Sequence, residues 1–336
     1  MDKNEDSYKK LEHSLDSLLR PKAWDEYIGQ ESVKKNLNLL IEAAKERKQM
    51  PEHVLLYGPA GLGKTTLAHI IGSILNVPIQ TTSGPMIERA GDIVSLASTL
   101  EEGGVLFIDE IHGLNKNIEE VLYPIMESSS ISIMVGKGPT ARSVVINLPP
   151  TTIIAATTQV GKISTPLRTR FSGGVLRLQP YDVKEIKEIV LRSAKKLEVT
   201  VTNDAAVEIA KRSRKTPRTA NYLLKRVRDY AQIYNTTVTQ DIVKTALQEQ
   251  DIDEYGLTTE DRNVLDIIQT IFNGGPVGIQ ALATTLSEDI KTVEEVYEPF
   301  LVQIGFLKRT PRGRSITEKG SAYLHATNSS KNNDEE

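Results

Sequence analysis

Apolar residues change their spacing along this chain, and each change marks a part. Val54-Leu55-Leu56-Tyr57 is an unbroken apolar run after Pro51; beyond a glycine-rich stretch, Leu67, Ala68, Ile70, Ile71 and Ile74 return at helical spacing. That order predicts strand, loop and helix. Val105-Leu106-Phe107-Ile108 and Thr152-Ile153-Ile154-Ala155-Ala156 have the length and β-branched content of strands buried on both faces of a parallel sheet. With helical patterns between them, the first half predicts an α/β layered domain. Between these two runs, Ile131-Ser132-Ile133-Met134-Val135 and Ser143-Val144-Val145-Ile146 flank Gly136-Lys137-Gly138-Pro139, the pattern of a β-hairpin inserted over about residues 131–147.

From Asp182 the signals turn helical, with Asp182, Asn203 and Thr239 as expected N-caps before amphipathic runs. A third pattern begins at Thr258: a periodic helix to Phe272, a Gly274-Gly275-Pro276 break and two short helices around Leu282 and Val296. Phe306-Leu307-Lys308-Arg309, a Pro311-Arg312-Gly313 turn and Ser315-Ile316-Thr317 then complete it. Three helices closed by a hairpin describe a winged helix. The predicted domains are residues 1–181 (α/β, with the hairpin), 182–254 (small helical) and 255–326 (winged helix), with 327–336 as a disordered tail lacking apolar residues to bury. No internal repeat is evident.

A chain of 336 residues is long for one hydrophobic core and suits two or three. Lys and Arg number 41 against 44 Asp and Glu, a net charge of −3, so overall charge identifies no partner. The absence of cysteine excludes disulfides, thiolate metal sites, iron–sulfur clusters and a cysteine nucleophile. The first residues lack the apolar core of a signal peptide, and no later stretch reaches the roughly 18 apolar residues of a membrane span. A soluble, cytoplasmic protein without membrane attachment is expected.

The chemistry starts at Gly58-Pro59-Ala60-Gly61-Leu62-Gly63-Lys64-Thr65, a complete G-x-x-x-x-G-K-[ST] between a predicted strand and a predicted helix. Glycines there let backbone N–H groups turn toward phosphates, Lys64 reaches the β- and γ-phosphates, and the Thr65 hydroxyl suits Mg²⁺. Asp109-Glu110 ends the Val105–Ile108 strand, where Asp109 suits a hydrated Mg²⁺ and Glu110 a general base for water; an acidic strand end opening a helix is the plain alternative. Thr157-Thr158 ends the next strand. Arg168 or Arg170 is a candidate arginine finger, with surface ion pairing as the alternative. His112 reads more readily as structural than as a ligand. Lys211, Arg212, Arg214, Lys215, Arg218, Lys225, Arg226 and Arg228 form a basic run without acidic residues, compatible with phosphate sensing, subunit contact, DNA contact or a solvated face. Lys308, Arg309, Arg312 and Arg314 crowd the last hairpin, and alternation would let Arg309 and Arg314 project beside a DNA backbone.

Together these residues resemble the AAA+ ATPases and, within them, the RuvB family of Holliday-junction branch-migration motors. The resemblance runs from about Leu18 to Leu324. It rests on Leu19-Arg20-Pro21 with Tyr27-Ile28-Gly29-Gln30, the P-loop, Thr82-Ser83-Gly84-Pro85, Phe107 to His112, Glu120 to Pro124, Gly138 to Ser143, Pro166 to Phe171, Thr216-Pro217-Arg218, Val296 to Pro299, and Arg309 to Arg314. It implies a P-loop parallel-sheet domain, a small helical lid domain and a C-terminal winged helix, with ATP and Mg²⁺ as cofactors. By the same resemblance Leu19, Arg20, Tyr27, Ile28 and Tyr181 surround adenine and ribose. Gly61, Gly63, Lys64, Thr65 and Thr66 cradle phosphate, Asp109 and Thr65 hold the metal, and Glu110 is the base. Thr158 and Arg218 act as sensors, and Arg170 is the finger given to a neighbouring subunit. The family's form implies a homohexameric ring around double-stranded DNA at Holliday junctions, RuvA bound at Ile131 and Ile133 of the hairpin, RuvC in the resolving complex, and DNA contacts at Lys291, Arg309 and Arg314.

The chain departs from the family pattern at Ala60, where proline is usual, at Gly113 and Gln159, where arginine is usual, and at Lys215, where glycine is usual. One extra residue lies between Phe171 and Tyr181. Two other readings share much of this pattern. A clamp-loader subunit would carry a collar in place of the winged helix, and an initiator-like ATP switch would bind nucleotide and hydrolyse it slowly.

Overall fold

The structure is a computed structural model that describes residue 15 and residues 17–135 and 142–333. The chain divides into two compact units, one joining residues up to Val199 with Lys215–Tyr222, the other joining Thr200–Arg214 with Leu223 onward.

In the first unit, β1 (Val54–Tyr57), β2 (Ile79–Ser83), β3 (Val105–Asp109), β4 (Ser130–Val135), β5 (Arg142–Asn147), β6 (Thr152–Thr157) and β7 (Gly174–Arg177) are joined by α1 (Glu31–Glu46), α2 (Lys64–Leu75), α3 (Ala90–Ser98), α4 (Lys116–Ser128) and α5 (Thr165–Thr169), with α6 (Val183–Lys196) after them. Five strands make one parallel sheet in the order β2-β3-β6-β1-β7. Every residue of β6 is buried, as its unbroken apolar run predicts. The sheet order matters for the site. Strands β3, β6 and β1 are neighbours, and the register pairs Tyr57 with Thr157, so three strand ends open side by side at the carboxyl edge. Ligands of α/β sheets bind at such an edge.

The inserted hairpin is present as β4 paired antiparallel with β5, Ile131 facing Ile146. One expectation for it is corrected. Ile131 is only 4% exposed and belongs to the same apolar core as Leu122, Ile125 and Leu148, so it is not a free partner surface. Among the described side chains of the hairpin, the exposed apolar ones are Val144 (43%) and Val145 (61%) on β5. Ile133 lies on β4, its side chain outside the described ones, and the turn at residues 136–141 lies outside the described residues.

In the second unit, α7 (Asn203–Arg212), the part of α8 (Pro217–Ile233) from Leu223, and α9 (Gln240–Gln248) form the helical region. The predicted cap at Thr239 is present, its hydroxyl accepting the Ile242 N–H. In the first unit Asp182 caps α6 in the same way, with Glu185 returning the bond. The expected cap at Asn203 is displaced by one residue: Thr202 Oγ1 accepts the Ala205 N–H at 3.2 Å, and Asn203 is already helical.

The winged helix follows as α10 (Thr259–Thr270), α11 (Ile279–Leu286), a turn at Ile290–Thr292, a π-helical segment Val293–Tyr297, α12 (Glu298–Gln303), β8 (Leu307–Thr310), β9 (Gly313–Ile316) and α13 (Glu318–Asn333). Leu265, Ile268, Leu282, Val293, Leu301 and Phe306 share its core. Backbone bonds in both directions between Val277 and Arg314, each 2.8 Å, tie the helices to the wing. Helix α13 continues through residues 327–333, where the sequence predicts a tail.

Candidate functional site

The phosphate loop is built as its spacing demands. Strand β1 ends at Tyr57, the glycine-rich turn follows, and α2 begins at Lys64, so the first N–H groups of the helix face the loop's concavity. Gly63 caps α2 at φ 95°, and a Cβ there would lie 2.8 Å from Tyr27 Oη, so both conformation and space require glycine. Lys64 is buried, its Nζ donating to Gly58 O at 2.8 Å and Pro59 O at 2.9 Å. Burial pulls its pKa down, while Glu110 and Asp109 pull it up. An arriving phosphate oxygen would replace weak carbonyl partners with a charged one.

Thr65 Oγ1 donates to Asp109 Oδ2 at 3.3 Å, bringing together two hard oxygens from β3 and α2. This donor set fits Mg²⁺, which takes one or two protein oxygens and completes its shell with phosphate and water. Beside it, Glu110 adopts a left-handed backbone, φ 44° and ψ 49°. Its Oε2 accepts from Thr158 N at 3.1 Å, from Thr158 Oγ1 at 3.0 Å, and lies 3.1 Å from His112 Nδ1.

One cavity within the first unit gathers Leu19, Arg20, Tyr27, Ile28, Gly61, Gly63, Lys64, Thr65, Thr66, Asp109, Glu110, Tyr181 and Arg218, so nearly every residue expected around the nucleotide lines the same space. Thr158 stands behind the cavity, holding Glu110. At the base end Tyr27 Oη donates to Leu62 O at 3.3 Å and Tyr181 Oη donates to Tyr27 Oη at 3.2 Å. Burial raises both phenol pKa values, so both stay protonated donors. Sequence reasoning missed Ile189, Arg192 and Asn221 in this lining. Arg192 donates to Glu26 O and Leu19 O, fastening α6 to the segment that carries Leu19 and Tyr27. Its one sequence signal is a cation three positions after buried Ile189 on an otherwise apolar stripe.

One departure from the family pattern has a local reason. A Cβ at Gly113 would meet Pro85 Cδ and Cγ at 2.8 Å, so the close approach of the turn after β3 to Pro85 leaves no room for a side chain. Lys215 sits at φ 59°, a left-handed backbone that favours glycine, so nothing local explains the lysine; its carbonyl accepts the Tyr181 N–H at 3.0 Å. The structure shows no local reason for Ala60 or Gln159.

Arg170 lies away from this cavity. Its Nη2 pairs with Glu127 Oε1 at 2.8 Å, its Nη1 donates to Pro166 O at 2.7 Å, and the guanidinium stacks 4.0 Å from the centre of the Tyr123 ring. It lines a second depression with Glu52, His53 and Glu127. The basic run after Lys211 is not one solvated face. Arg212 pairs with Glu208, Arg214 with Asp261, and Arg226 and Arg228 with Asp229.

On the wing Arg309 stands opposite Arg314 in the strand register. Both reach the fully buried carboxylate of Glu298, and Arg314 also pairs with Glu294 at 3.1 Å. Arg309 keeps 56% of its side chain exposed and Arg314 only 14%, so the expectation that both project freely is corrected for Arg314. Lys291, Lys308 and Arg312 are exposed.

Comparison with known proteins agrees with these features. Residues 19–178 match the model of the Holliday junction DNA helicase RuvB P-loop domain, residues 181–253 the RuvB AAA lid domain, and residues 254–325 the RuvB C-terminal winged helix domain. The chain is 51% identical over 315 residues to the Holliday junction branch migration complex subunit RuvB of Fusobacterium nucleatum, covering 94% of each protein. It is also similar to a solved structure of the Thermotoga maritima RuvB Holliday junction branch migration motor, with TM-score 0.83 and 49% identity over 92% of this chain and 98% of that one. A mutant form of the same motor gives TM-score 0.84 and 49% identity over 91% of this chain and 98% of that one.

Proposed function

The chain belongs to the RuvB family of Holliday junction branch-migration motors, and on that premise we propose how its residues carry out the work. It binds nucleotide through its P-loop and is an AAA+ ATPase. The large ATPase domain is assigned to residues 1–181, the small helical domain to 182–254 and the winged helix to 255–326, a division supported by the breaks between the three matched models.

ATP would lie along the cavity with its base against Leu19, Tyr27, Ile28 and Tyr181, held at the ribose end by Arg20. Its phosphates would lie over Gly61, Gly63, Lys64, Thr65 and Thr66, with Arg218 reaching the γ-phosphate from the opposite wall. Thr65 and Asp109 would hold Mg²⁺, which when bound neutralises charge on the β- and γ-phosphate oxygens. Water attacks the γ-phosphorus, Glu110 takes its proton, and the bond to the bridging oxygen breaks, releasing ADP and phosphate. Thr158 reports the γ-phosphate through its hydroxyl. Arg170 serves the site of a neighbouring subunit in a homohexameric ring, a role supported by its distance from the cavity of its own chain.

The ring would act on double-stranded DNA at the junction, with Arg309 and Lys291 on the duplex backbone and Arg314 fixing the wing. RuvA would dock on the hairpin through Ile133 together with Val144 and Val145, which are exposed among the described side chains, and RuvC would join in the resolving complex. A cytoplasmic site of action fits a chain without cysteine, and no helix among the described residues is long and apolar enough to cross a membrane.

One observation carries the catalytic part of this reading: a single cavity collects the phosphate loop, the Thr65–Asp109 pair and Glu110. Glu110→Gln keeps the shape of the site and removes the base, so it is expected to bind nucleotide while ATP hydrolysis and junction migration collapse. Lys64→Ala is expected to weaken nucleotide binding itself. Measuring nucleotide affinity, ATP turnover and migration of a synthetic four-way junction, with and without RuvA, separates the two. Parental turnover in Glu110→Gln would remove Glu110 as the base.

A further inference from the structure

His112 lies two residues beyond Glu110 in the short turn Ile111–Gly113, and the mechanism above gives it no task. Its Nδ1 stands 3.1 Å from Glu110 Oε2 and 2.9 Å from Thr157 Oγ1. Thr157 is buried at the end of β6, and its hydroxyl oxygen also accepts the Gln159 N–H at 2.9 Å. These neighbours fix where the ring carries a proton. An unprotonated Nδ1 would turn its lone pair toward a carboxylate oxygen at 3.1 Å, a repulsive contact, whereas Nδ1–H is attracted to both oxygens. Nδ1–H is therefore a donor whether the ring is neutral or charged.

The consequence falls on the two oxygens of Glu110. Two donors, the Thr158 N–H and the Thr158 hydroxyl, bond to Oε2, and His112 Nδ1 stands 3.1 Å from it with its hydrogen bond made to Thr157 Oγ1. The partner oxygen Oε1 has no donor among the described residues, yet Glu110 lines the nucleotide cavity. The oxygen left able to take a proton is Oε1. In the loaded site the Thr158 hydroxyl is claimed by the γ-phosphate, in the role proposed for it, and Oε2 then keeps the Thr158 N–H and His112. The left-handed backbone at Glu110 (φ 44°) also sets the side chain's exit direction at a strained position, which neighbours must hold in place.

We propose that His112 is a positioning residue for ATP hydrolysis: held by Thr157 Oγ1, its Nδ1–H dipole draws Glu110 Oε2 toward it so that Oε1 faces the attacking water. The proposal rests on Glu110 being the base. A plain structural role would instead have His112 join the ends of β3 and β6 through Thr157, with no effect confined to turnover.

Three variants separate these roles. His112→Phe keeps the ring and loses the donor, His112→Ala removes both, and His112→Asn places an N–H near the Nδ1 position. DNA-stimulated ATP turnover, KM for ATP, ADP affinity and thermal midpoint are measured for each, with Glu110→Gln alongside. The expected result is a kcat about tenfold lower in Phe and Ala, a small part of the roughly 10²–10⁴ that general-base catalysis contributes. KM and ADP affinity should stay within about twofold, and Asn should recover most of the loss, because one N–H is what the base needs. Parental kcat in either Phe or Ala overturns the proposal, as does Asn as slow as Ala while all three keep the parental midpoint. A kcat loss that only follows a lowered midpoint assigns His112 to structure and also overturns it. If Glu110→Gln turns over at the parental rate, the assignment of the base fails. If Glu110→Gln is inactive while the donorless variants are fast, only the role of His112 fails.

Discussion

His53 is held by two backbone groups that only its neutral ring can serve together. Its Nδ1 accepts the Ile153 N–H at 3.0 Å, and its Nε2 donates to Met126 O at 3.0 Å, which fixes the tautomer. Burial lowers its pKa, outweighing the opposite pull of Met126 O and Glu52. The unfolded chain takes up a proton below pH about 6.5, and the folded chain resists it. Stability contributed by His53 is thus complete above that pH and declines as pH falls toward the lower folded value. Unfolding free energy followed by denaturant titration from pH 8 to pH 5 should fall in that window. In His53→Leu the fall should be shallower, and stability at pH 8 lower by about 1–3 kcal/mol because the Ile153 N–H loses its acceptor. An unchanged slope in the variant would exonerate the histidine. Residues such as His53 and Arg192 are hard to read in a sequence because their partners lie far along the chain; Ile153 is 100 positions from His53. The phosphate loop is legible for the opposite reason, since its glycines, lysine and threonine are consecutive and the chemistry uses their own backbone.

At the level of elements, alternation shows the period of a strand but not how far along it a face is covered. The hairpin shows the difference. Ile131-Ser132-Ile133 alternates correctly, yet Ile131 packs into the core while Val144, which pairs with Ile133 on the same face, is exposed, as is Val145 on the other face. The wing repeats the lesson with charge. Register puts Arg309 directly opposite Arg314, and like charges so placed repel, but the buried carboxylate of Glu298 lies between them. That carboxylate comes from α12, just after the π-helical turn, and nothing in the wing's own sequence announces it. The two arginines should therefore behave differently. Arg309→Ala should lower the salt slope of DNA binding by about one unit, equally for unrelated duplexes, as loss of one phosphate contact does. Arg314→Ala should leave the slope nearly unchanged and destabilise the winged helix by about 3 kcal/mol, since it strips a partner from a buried charge. Binding titrations on two duplexes at several salt concentrations, with unfolding curves for both proteins, check this. Equal slope losses with intact stability would give both arginines to DNA.

At the scale of the whole molecule, the nucleotide cavity of one chain contains Glu110, the proposed base, but not Arg170, the proposed finger. Arg170 is occupied elsewhere by Glu127, Pro166 O and the face of Tyr123. If a working site takes its base from one subunit and its finger from the next, each interface of a ring joins two halves that can be disabled separately. Glu110→Gln removes the base and Arg170→Ala the finger, so either pure variant should be nearly inactive. In mixed rings an interface works when an Arg170→Ala subunit supplies the intact base and a Glu110→Gln subunit the intact finger. For random head-to-tail assembly at equal amounts that occurs at about one interface in four, and turnover should approach about a quarter of the parental rate if interfaces act independently. The dependence on mixing ratio should be bell-shaped with its maximum at equal amounts, because the productive fraction is the product of the two subunit fractions. Coupling between neighbouring sites would lower the maximum without moving it. A site completed within one chain would give no recovery at any ratio. ATP turnover measured across a series of ratios, on rings shown by mass to contain both variants, distinguishes the two arrangements; a flat, inactive series would return the finger to its own chain or to another residue.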